Sequence, residues 1–439
     1  MLAGTERAYL EDSTRTRNFF GRADAVVLPG TPGEVVLVLA WCYEHDVPLT
    51  TRGGGTGYAG GAVPIDGGVV LSLERLTRVR RFEPLTWLIW VEAGLKTGDL
   101  RRLARENGLF FPPDPGAAEQ SQIGGNIATN AGGPHAFKYG VTGRFVTGLE
   151  AVVPPGEIVT VGGAIRKDVA GYDLKSLLIG SEGTLGIITA AWLRLLPAPE
   201  AFLPVVGFYE TTQAGCDAIQ RVLGHGLEAA AIEYLDAGTI AIAGPSFPGG
   251  APSGAGFMVI AEADGSREAA ESLAAELAGV LGEGALDVTA PSGPAAVAEL
   301  WRWREGIAFA VTAVKGGKVA EDVVVPLDRL VEAIEATVEI GRRHGLQALS
   351  WGHAGDGNVH SNFLVDPGRP EELERADRAV AELFDLTVEL GGSISGEHGL
   401  GWLKRGYLAK QWSPRAVALH GAIKQAFDPK GLLNPGKKV

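Results

Sequence analysis

Three imidazoles and a carboxylate sit in two short, glycine-rich stretches of this chain. The first reads Gly352-His353-Ala354-Gly355-Asp356-Gly357-Asn358-Val359-His360, and the second reads Ser395-Gly396-Glu397-His398-Gly399. The chain has only 8 His, so finding three of them here singles these stretches out. Imidazole and carboxylate form the ligand set of a borderline divalent cation such as zinc or manganese. Glu397 and His398 are adjacent, so on an extended backbone their side chains point opposite ways. One can then bind a metal while the other faces a substrate.

The surrounding elements must bring these residues together. Asp356-Gly357 is a tight-turn pair. Its flanks, 347–351 and 359–365, are apolar and suit strands. A hairpin there folds His353 toward His360. Upstream, residues 31–45 predict a helix with Thr31 as N-cap and Pro32 in the first turn. Residues 47–51, 68–73 and 87–91 read as strands, and 97–107 as a helix closed by Gly108. Residues 149–153 and 158–161 suggest a hairpin, and 185–196 a long strand ending at Pro197. The Pro197-Ala198-Pro199 run marks a domain boundary. Beyond it, strands (203–208, 257–261, 319–325) alternate with helices (212–223, 267–281, 328–344, 371–390). That pattern predicts an α+β domain with a sheet covered on one face. Residues 241–256 read as a surface loop. A short helix and two turns end the chain. The expected organisation is 1–199, then 200–394, then a segment 395–439 that returns to the first domain.

Composition narrows the function classes. A chain of 439 residues suggests two domains, and 46% hydrophobic residues are enough for real cores. Subtracting 52 acidic from 39 basic residues leaves −13, which argues against binding nucleic acid or an anionic membrane. Two cysteines, Cys42 and Cys216, can neither ligate an iron–sulfur cluster nor build a disulfide framework. There is no apolar leader and no run of about 18 apolar residues. The expectation is a cytoplasmic protein, at most peripheral at the inner membrane through a partner. A homodimer is the default assembly.

Three glycine-rich stretches suggest a long ligand threaded along the backbone. The first, Arg52-Gly53-Gly54-Gly55-Thr56-Gly57-Tyr58-Ala59-Gly60-Gly61, contains a literal G-x-G-x-x-G at Gly55, Gly57 and Gly60. A Rossmann site needs a helix next. Here Val63-Pro64 and Asp66-Gly67-Gly68 follow, so Rossmann NAD binding is rejected. The glycines can still aim backbone N–H groups at a phosphate, with Arg52 adding charge. The second spans Pro113, Asp114 and Gly116, then Ser121, Gly124, Gly125, Asn126, Thr129, Asn130, Gly132 and Gly133. The third holds Glu182, Gly183, Gly186, Ile187 and Ile188. A large dinucleotide fits three such loops.

With these motifs the chain resembles the FAD-linked oxidases of the vanillyl-alcohol oxidase type, in the D-2-hydroxyacid dehydrogenase branch. The resemblance runs from about residue 25 to 436. It implies an α+β protein: an FAD-binding domain of two subdomains plus a ferredoxin-like α+β cap. It places the FAD pyrophosphate in the 52–61 loop and the rest of the cofactor along the second and third stretches. Asn434 is similar to a tail residue that reaches the flavin. Thr56 and Tyr58 stand where some relatives carry a flavin-linked histidine, so FAD is expected to be non-covalent. The resemblance makes His353, His360 and Glu397 ligands of a divalent metal, Zn or Mn, and His398 the base. Arg304, in Trp301-Arg302-Trp303-Arg304-Glu305, matches the clamp for the substrate carboxylate, and Lys318 and Asn362 match further substrate contacts. Some 2-hydroxyglutarate enzymes have a threonine four residues after the clamp, where this chain has Ala308. That favours a monocarboxylate.

The resemblance therefore implies oxidation of a small D-2-hydroxy acid, of D-lactate or glycolate type, with hydride passing to flavin N5. Electrons leave to a quinone, an electron-transfer flavoprotein, a cytochrome, an iron–sulfur subunit or oxygen. The rival readings are an electron-relay subunit of a larger oxidase, a non-redox member of the fold such as an ether-lipid synthase, and a flavin- or metal-binding protein without catalysis.

Overall fold

The computed structural model describes residues 2–438, which form two compact units. Met1–Gly133, Gly140–Ala198 and Glu397–Val439 make the first; Pro134–Tyr139 and Pro199–Gly396 make the second.

The first unit holds two main sheets. Strands β1 (Leu2–Ala3), β2 (Ala25–Val27), β3 (Leu49–Arg52) and β4 (Val69–Ser72) lie in the order β1-β2-β4-β3, with β4 parallel to both β2 and β3. The Pro32–Glu44 helix supplies the crossover such parallel strands need. Its start follows from the sequence: the Thr31 hydroxyl accepts the Glu34 N–H at 3.2 Å, and proline fills the first turn. Its buried residues Val35, Leu39 and Cys42 pack with Leu49, Val69 and Leu71 in one apolar cluster. No helix follows Gly60; the chain runs through turns into β4, as the rejection of a Rossmann site requires.

Strands β5 (Val79–Glu83), β6 (Leu88–Glu92), β8 (Val146–Val153), β9 (Glu157–Gly162) and β10 (Ile187–Arg194) form an antiparallel sheet in the order β5-β6-β10-β8-β9. A minor pair joins β7 (Leu109–Phe110) to β11 (Leu196–Pro197). The C-terminal tail completes the first sheet. The Leu49 N–H donates to the Leu432 carbonyl at 2.9 Å, and the Asn434 N–H donates to the Leu49 carbonyl at 2.7 Å. The tail thus occupies an edge that β3 would otherwise leave open.

The second unit is built on one antiparallel sheet of seven strands. In chain order these are β12 (Ala201–Tyr209), β13 (Ala231–Asp236), β14 (Phe257–Gly265), β15 (Asp287–Thr289), β16 (Gly317–Val324), β17 (Ala348–His353) and β18 (Asn358–Val365). Their spatial order is β15-β12-β14-β13-β17-β18-β16. Helices cover both faces, not one as the sequence suggested. On one face Phe208, Leu235, Ile260, Leu349 and Leu364 pack against Leu300, Ile307 and Val311 of the Pro294–Lys315 helix. On the other, Gly215 of the Thr212–Gly224 helix lies against the Phe257 ring, and Thr337 of the Leu330–Arg343 helix shares a 2.7 Å hydrogen bond with Ser361.

The helix on the first of these faces is hidden in the sequence because the 22-residue Pro294–Lys315 helix begins at Gly293, which has φ +84 and no side-chain cap. Its Trp301-Arg302-Trp303-Arg304 run also alternates as a strand would. The 241–256 stretch is a partial correction too. It opens in the Ala237–Ala243 helix and a short 3-10 turn, and Ala243 and Phe247 are buried. A six-residue excursion, Pro134–Tyr139, belongs to this unit. Glu262 holds His135 Nε2 at 2.7 Å, and Asp264 accepts from Lys138 Nζ at 2.5 Å.

Candidate active site

Alternation along the strands sorts side chains between the two faces of the seven-stranded sheet. Leu349, Trp351 and His353 of β17 share one face, as do Leu364, Asn362 and His360 of β18. Lys318 of β16 lies opposite Leu364, Asp322 lies opposite His360, and Glu233 of β13 lies opposite His353. This face is apolar toward the Pro294–Lys315 helix and turns polar toward the β17–β18 turn. The polar end carries the chemistry.

The turn does what the Asp356-Gly357 pair predicts. A short 3-10 turn, Ala354–Asp356, ends at Gly357 with φ +69. A Cβ there would stand 2.1 Å from the Val325 carbonyl oxygen, so only glycine fits. His353 and His360 end diagonal to each other across β17 and β18. Their rings are 5.0 Å apart and nearly perpendicular, with the two Nε2 atoms at 3.3 Å.

That separation suits a metal. Two nitrogens each 2.0–2.1 Å from a tetrahedral zinc stand about 3.3 Å apart. The fully buried Glu233 carboxylate meets His353 Nδ1 at 2.5 Å, the kind of carboxylate partner that ligating histidines usually have on their other ring nitrogen. Its other oxygen accepts from Arg304 Nη2, also at 2.5 Å. Burial alone would raise the Glu233 carboxyl. The His353 imidazole and the Arg304 guanidinium outweigh burial and hold it below its ordinary value.

The substrate residues expected from sequence lie in this same unit. Arg304 is buried, and its Nε has no hydrogen-bond partner among the described residues. Asn362 donates to the His360 carbonyl at 2.8 Å, while its Oδ1 is likewise unpartnered. Lys318 is 2% exposed, with its Nζ 4.7 Å from the centroid of the Trp351 ring. Burial pushes its ammonium down to about 7. The spare Arg304 N–H suits a carboxylate, and the spare Asn362 amide oxygen suits a hydroxyl.

Glu397 and His398 open the returning segment of the first unit. The backbone bends at 396–398 instead of extending, so the expected opposite orientation does not hold; Glu397 Oε1 and His398 Nε2 end 4.0 Å apart. The His398 ring stacks on Tyr58 with centroids 4.9 Å apart. Glu397 packs over Gly132, where a Cβ would stand 2.7 Å from its Oε2.

The three glycine loops converge within the first unit. A Cβ on Gly54 would stand 2.3 Å from the Gln120 carbonyl oxygen, one on Gly53 3.4 Å from Gly125 Cα, and one on Gly133 2.5 Å from the Asp114 carbonyl oxygen. Several side chains expected to line the cofactor are engaged in the protein itself. Ser121 and Asn126 both bond Thr97, at 2.8 and 2.6 Å. Asn130 Oδ1 accepts the Gly143 N–H, and the Thr129 hydroxyl donates to the Gly125 carbonyl. Arg52 is turned onto the Glu11 carbonyl at 2.5 Å. Ile187 belongs to the apolar core. The Glu182 carboxylate accepts the Leu400 and Gly401 N–H groups, at 2.9 and 2.7 Å, and so pins the segment that follows His398. What the loops present is backbone. Asn434 ties two of them together, donating to the carbonyls of Gly61 and Glu182 at 2.9 and 2.7 Å.

Sequence reasoning missed three residues. Glu233 is one; its signal is an acid in the interior of a strand, Ala231–Asp236, that is buried throughout. Asp322 is another, buried opposite His360 and accepting the Gly396 N–H at 2.7 Å. The third is Lys437, whose Nζ reaches the Gly61 carbonyl at 3.0 Å and Asn434 Oδ1 at 2.5 Å. Burial pushes the Lys437 ammonium down to about 7.

Comparisons with known proteins agree with this architecture. Residues 198–438 match the family of FAD linked oxidases, C-terminal domain, and residues 23–162 match the FAD binding domain. The glycolate oxidase subunit GlcD of Bacillus subtilis is 36% identical over 96% of this chain and 90% of its own length. A D-lactate dehydrogenase of Anaerostipes hadrus is 33% identical over 95% and 89%. The solved structure of p-cresol methylhydroxylase with substrate bound superposes with a TM-score of 0.79 at 19% identity, covering 98% of this chain and 91% of that one, which shows the shared fold. The chain belongs to the FAD-linked oxidases, with a fold of the vanillyl-alcohol oxidase type, and is an FAD-linked oxidoreductase.

Proposed function

We propose that this enzyme oxidises a small D-2-hydroxy acid, of the D-lactate or glycolate type, to the 2-oxo acid. The observation that carries the reading is a single polar cluster. It sets two histidine nitrogens at zinc-like spacing, joins His353 through Glu233 to a buried arginine with a spare donor, and brings a buried lysine over the Trp351 ring that neighbours His360. Relatives named for glycolate and D-lactate support the same substrate class.

In this reading Arg304 holds the substrate carboxylate and Lys318 adds charge. His353 and His360 hold a divalent cation, zinc or manganese, with Glu397 as third ligand. Glu397 directly follows Gly396, whose N–H is held by Asp322 opposite His360. The cation, when bound, supplies a Lewis acid that favours the alkoxide. His398 takes the hydroxyl proton, with Tyr58 stacked beneath its ring. The three glycine loops cradle non-covalent FAD through backbone N–H groups, and Asn434 and Lys437 hold two of the loops together. FAD, when bound, supplies the hydride acceptor. Ala308, in place of a hydroxyl-bearing residue, favours a monocarboxylate.

Electrons leave to a separate acceptor: a quinone, an electron-transfer flavoprotein, a cytochrome or an iron–sulfur subunit. No helix among the described residues is long and apolar enough to cross a membrane.

The test is anaerobic flavin bleaching by a panel of glycolate, D- and L-lactate, D-2-hydroxybutyrate and D-2-hydroxyglutarate. Bleaching by glycolate or the D-monocarboxylates, ahead of L-lactate and D-2-hydroxyglutarate, is expected. A bound flavin that no hydroxy acid reduces overturns the reading.

A further inference from the structure

We propose that Glu233 is a positioning residue that couples the metal pair to the substrate clamp. This deepens the function proposed above and rests on it. Glu233 is fully buried on β13, in register with His353 on β17. Each carboxylate oxygen takes a different partner: Oε1 meets His353 Nδ1 and Oε2 meets Arg304 Nη2, both at 2.5 Å. One residue therefore holds a metal ligand with one oxygen and the substrate clamp with the other.

The chemistry of the contacts makes the coupling specific. An ionised carboxylate can only accept hydrogen bonds, so His353 presents its Nδ1–H to Glu233. That tautomer leaves the lone pair on Nε2, the atom 3.3 Å from His360 Nε2. Glu233 thus sets which nitrogen of His353 can bind a cation, and makes it a better donor. On the other side, Arg304 spends Nη2 on Glu233 and keeps Nε unpartnered. A guanidinium held by one edge points its remaining donors in a fixed direction, which lowers the ordering cost of capturing a carboxylate. A buried acid with two such partners specifies geometry and does not merely fill space.

The test compares wild-type holoenzyme with Glu233→Gln. Cobalt(II) is titrated into metal-stripped protein and read by its visible ligand-field bands. KM and kcat for D-lactate are measured on protein reloaded with zinc. A glutamine accepts from one partner but turns its amide N–H groups on the other. Cobalt affinity should fall about 10–100-fold, as when the hydrogen-bond partner of a ligating histidine is lost elsewhere. The cobalt bands should shift, and KM should rise at least tenfold with a smaller change in kcat. The FAD spectrum should be unchanged.

If Glu233→Gln does not fold, Glu233→Asp serves instead. It keeps the buried charge but is one methylene shorter and reaches only one partner, so either cobalt affinity or KM should move tenfold. Wild-type cobalt affinity, wild-type bands and an unchanged KM in the variant overturn the proposal while leaving the functional reading intact. A wild-type protein that takes up no cobalt overturns both.

Discussion

In the seven-stranded sheet, the candidate site is made of side chains. His353, His360, Glu233 and Arg304 bring charged or ligating groups to the polar end of one face, and Lys318 reaches from further along that face over the Trp351 ring. In the glycine loops the reverse holds. The side chains of Ser121, Asn126, Asn130, Glu182 and Asn434 are spent on the protein itself, and backbone is what remains to offer. The first arrangement suits a small, charged, reactive ligand, where each group has one task. The second suits a long cofactor held by many weak, interchangeable contacts. The two should therefore fail differently under mutation: the first residue by residue, the second by steric crowding of the backbone.

The sharpest break is His353→Ala. In the proposed reading it removes a metal ligand, and it leaves the glycine loops untouched. Metal content should be lost and kcat should fall by about a thousandfold, roughly 4 kcal/mol of transition-state stabilisation. The flavin content should stay at the wild-type level. Metal analysis and flavin absorbance on one sample check both statements.

Lys318→Met comes next, and its effect is on stability as much as on binding. The folded protein holds the Lys318 ammonium near 7, against 10.5 for an ordinary lysine. Between those values the unfolded chain binds a proton that the folded chain does not, so stability rises with pH across that window. Below about 7 the full penalty applies, and above 10.5 it vanishes. Each unit of separation is worth about 1.4 kcal/mol. The variant should gain a few kcal/mol at pH 7, with a flatter dependence from pH 7 to 10.5, while KM for the hydroxy acid rises. Unfolding midpoints measured across that range test it.

In the glycine loops, Gly54→Ala should act through the backbone. Its Cβ would meet the Gln120 carbonyl oxygen at 2.3 Å, and backbone cannot rotate away. Overpacking of this kind costs about 1–3 kcal/mol, so FAD affinity should fall while cobalt binding is unchanged. The smallest effect belongs to Asn434→Ala. It removes two hydrogen bonds that join the first and third loops, each worth about 1 kcal/mol net, so FAD affinity should drop about tenfold or somewhat more. A fluorescence titration of apoprotein with FAD measures both.

What could be read from the sequence follows the same divide. The hairpin around Asp356-Gly357 was legible because turn chemistry and apolar flanks agree, and it fixed the meeting of His353 with His360 in advance. The Thr31 cap was legible for a similar reason. Glu233 was not, because it lies 120 residues from His353 in the chain and only strand register joins them. The Pro294–Lys315 helix was hidden by its uncapped start and its alternating Trp-Arg run. That concealed the second covered face of the sheet. In the glycine loops, composition suggested a threaded ligand. It could not show that Glu182 would turn its carboxylate onto Leu400 and Gly401, because side-chain direction in a loop is set by partners distant in sequence.

The central claim is that hydroxy-acid oxidation here depends on a cation held by the histidine pair. The most direct test mixes D-lactate anaerobically with three samples: native, chelator-stripped and zinc- or manganese-reloaded protein. The rate of flavin bleaching is followed in each. The account predicts fast bleaching in the native protein, a loss of at least a hundredfold on stripping, and recovery on reloading, with FAD retained throughout. Equal rates in native and stripped protein would contradict it.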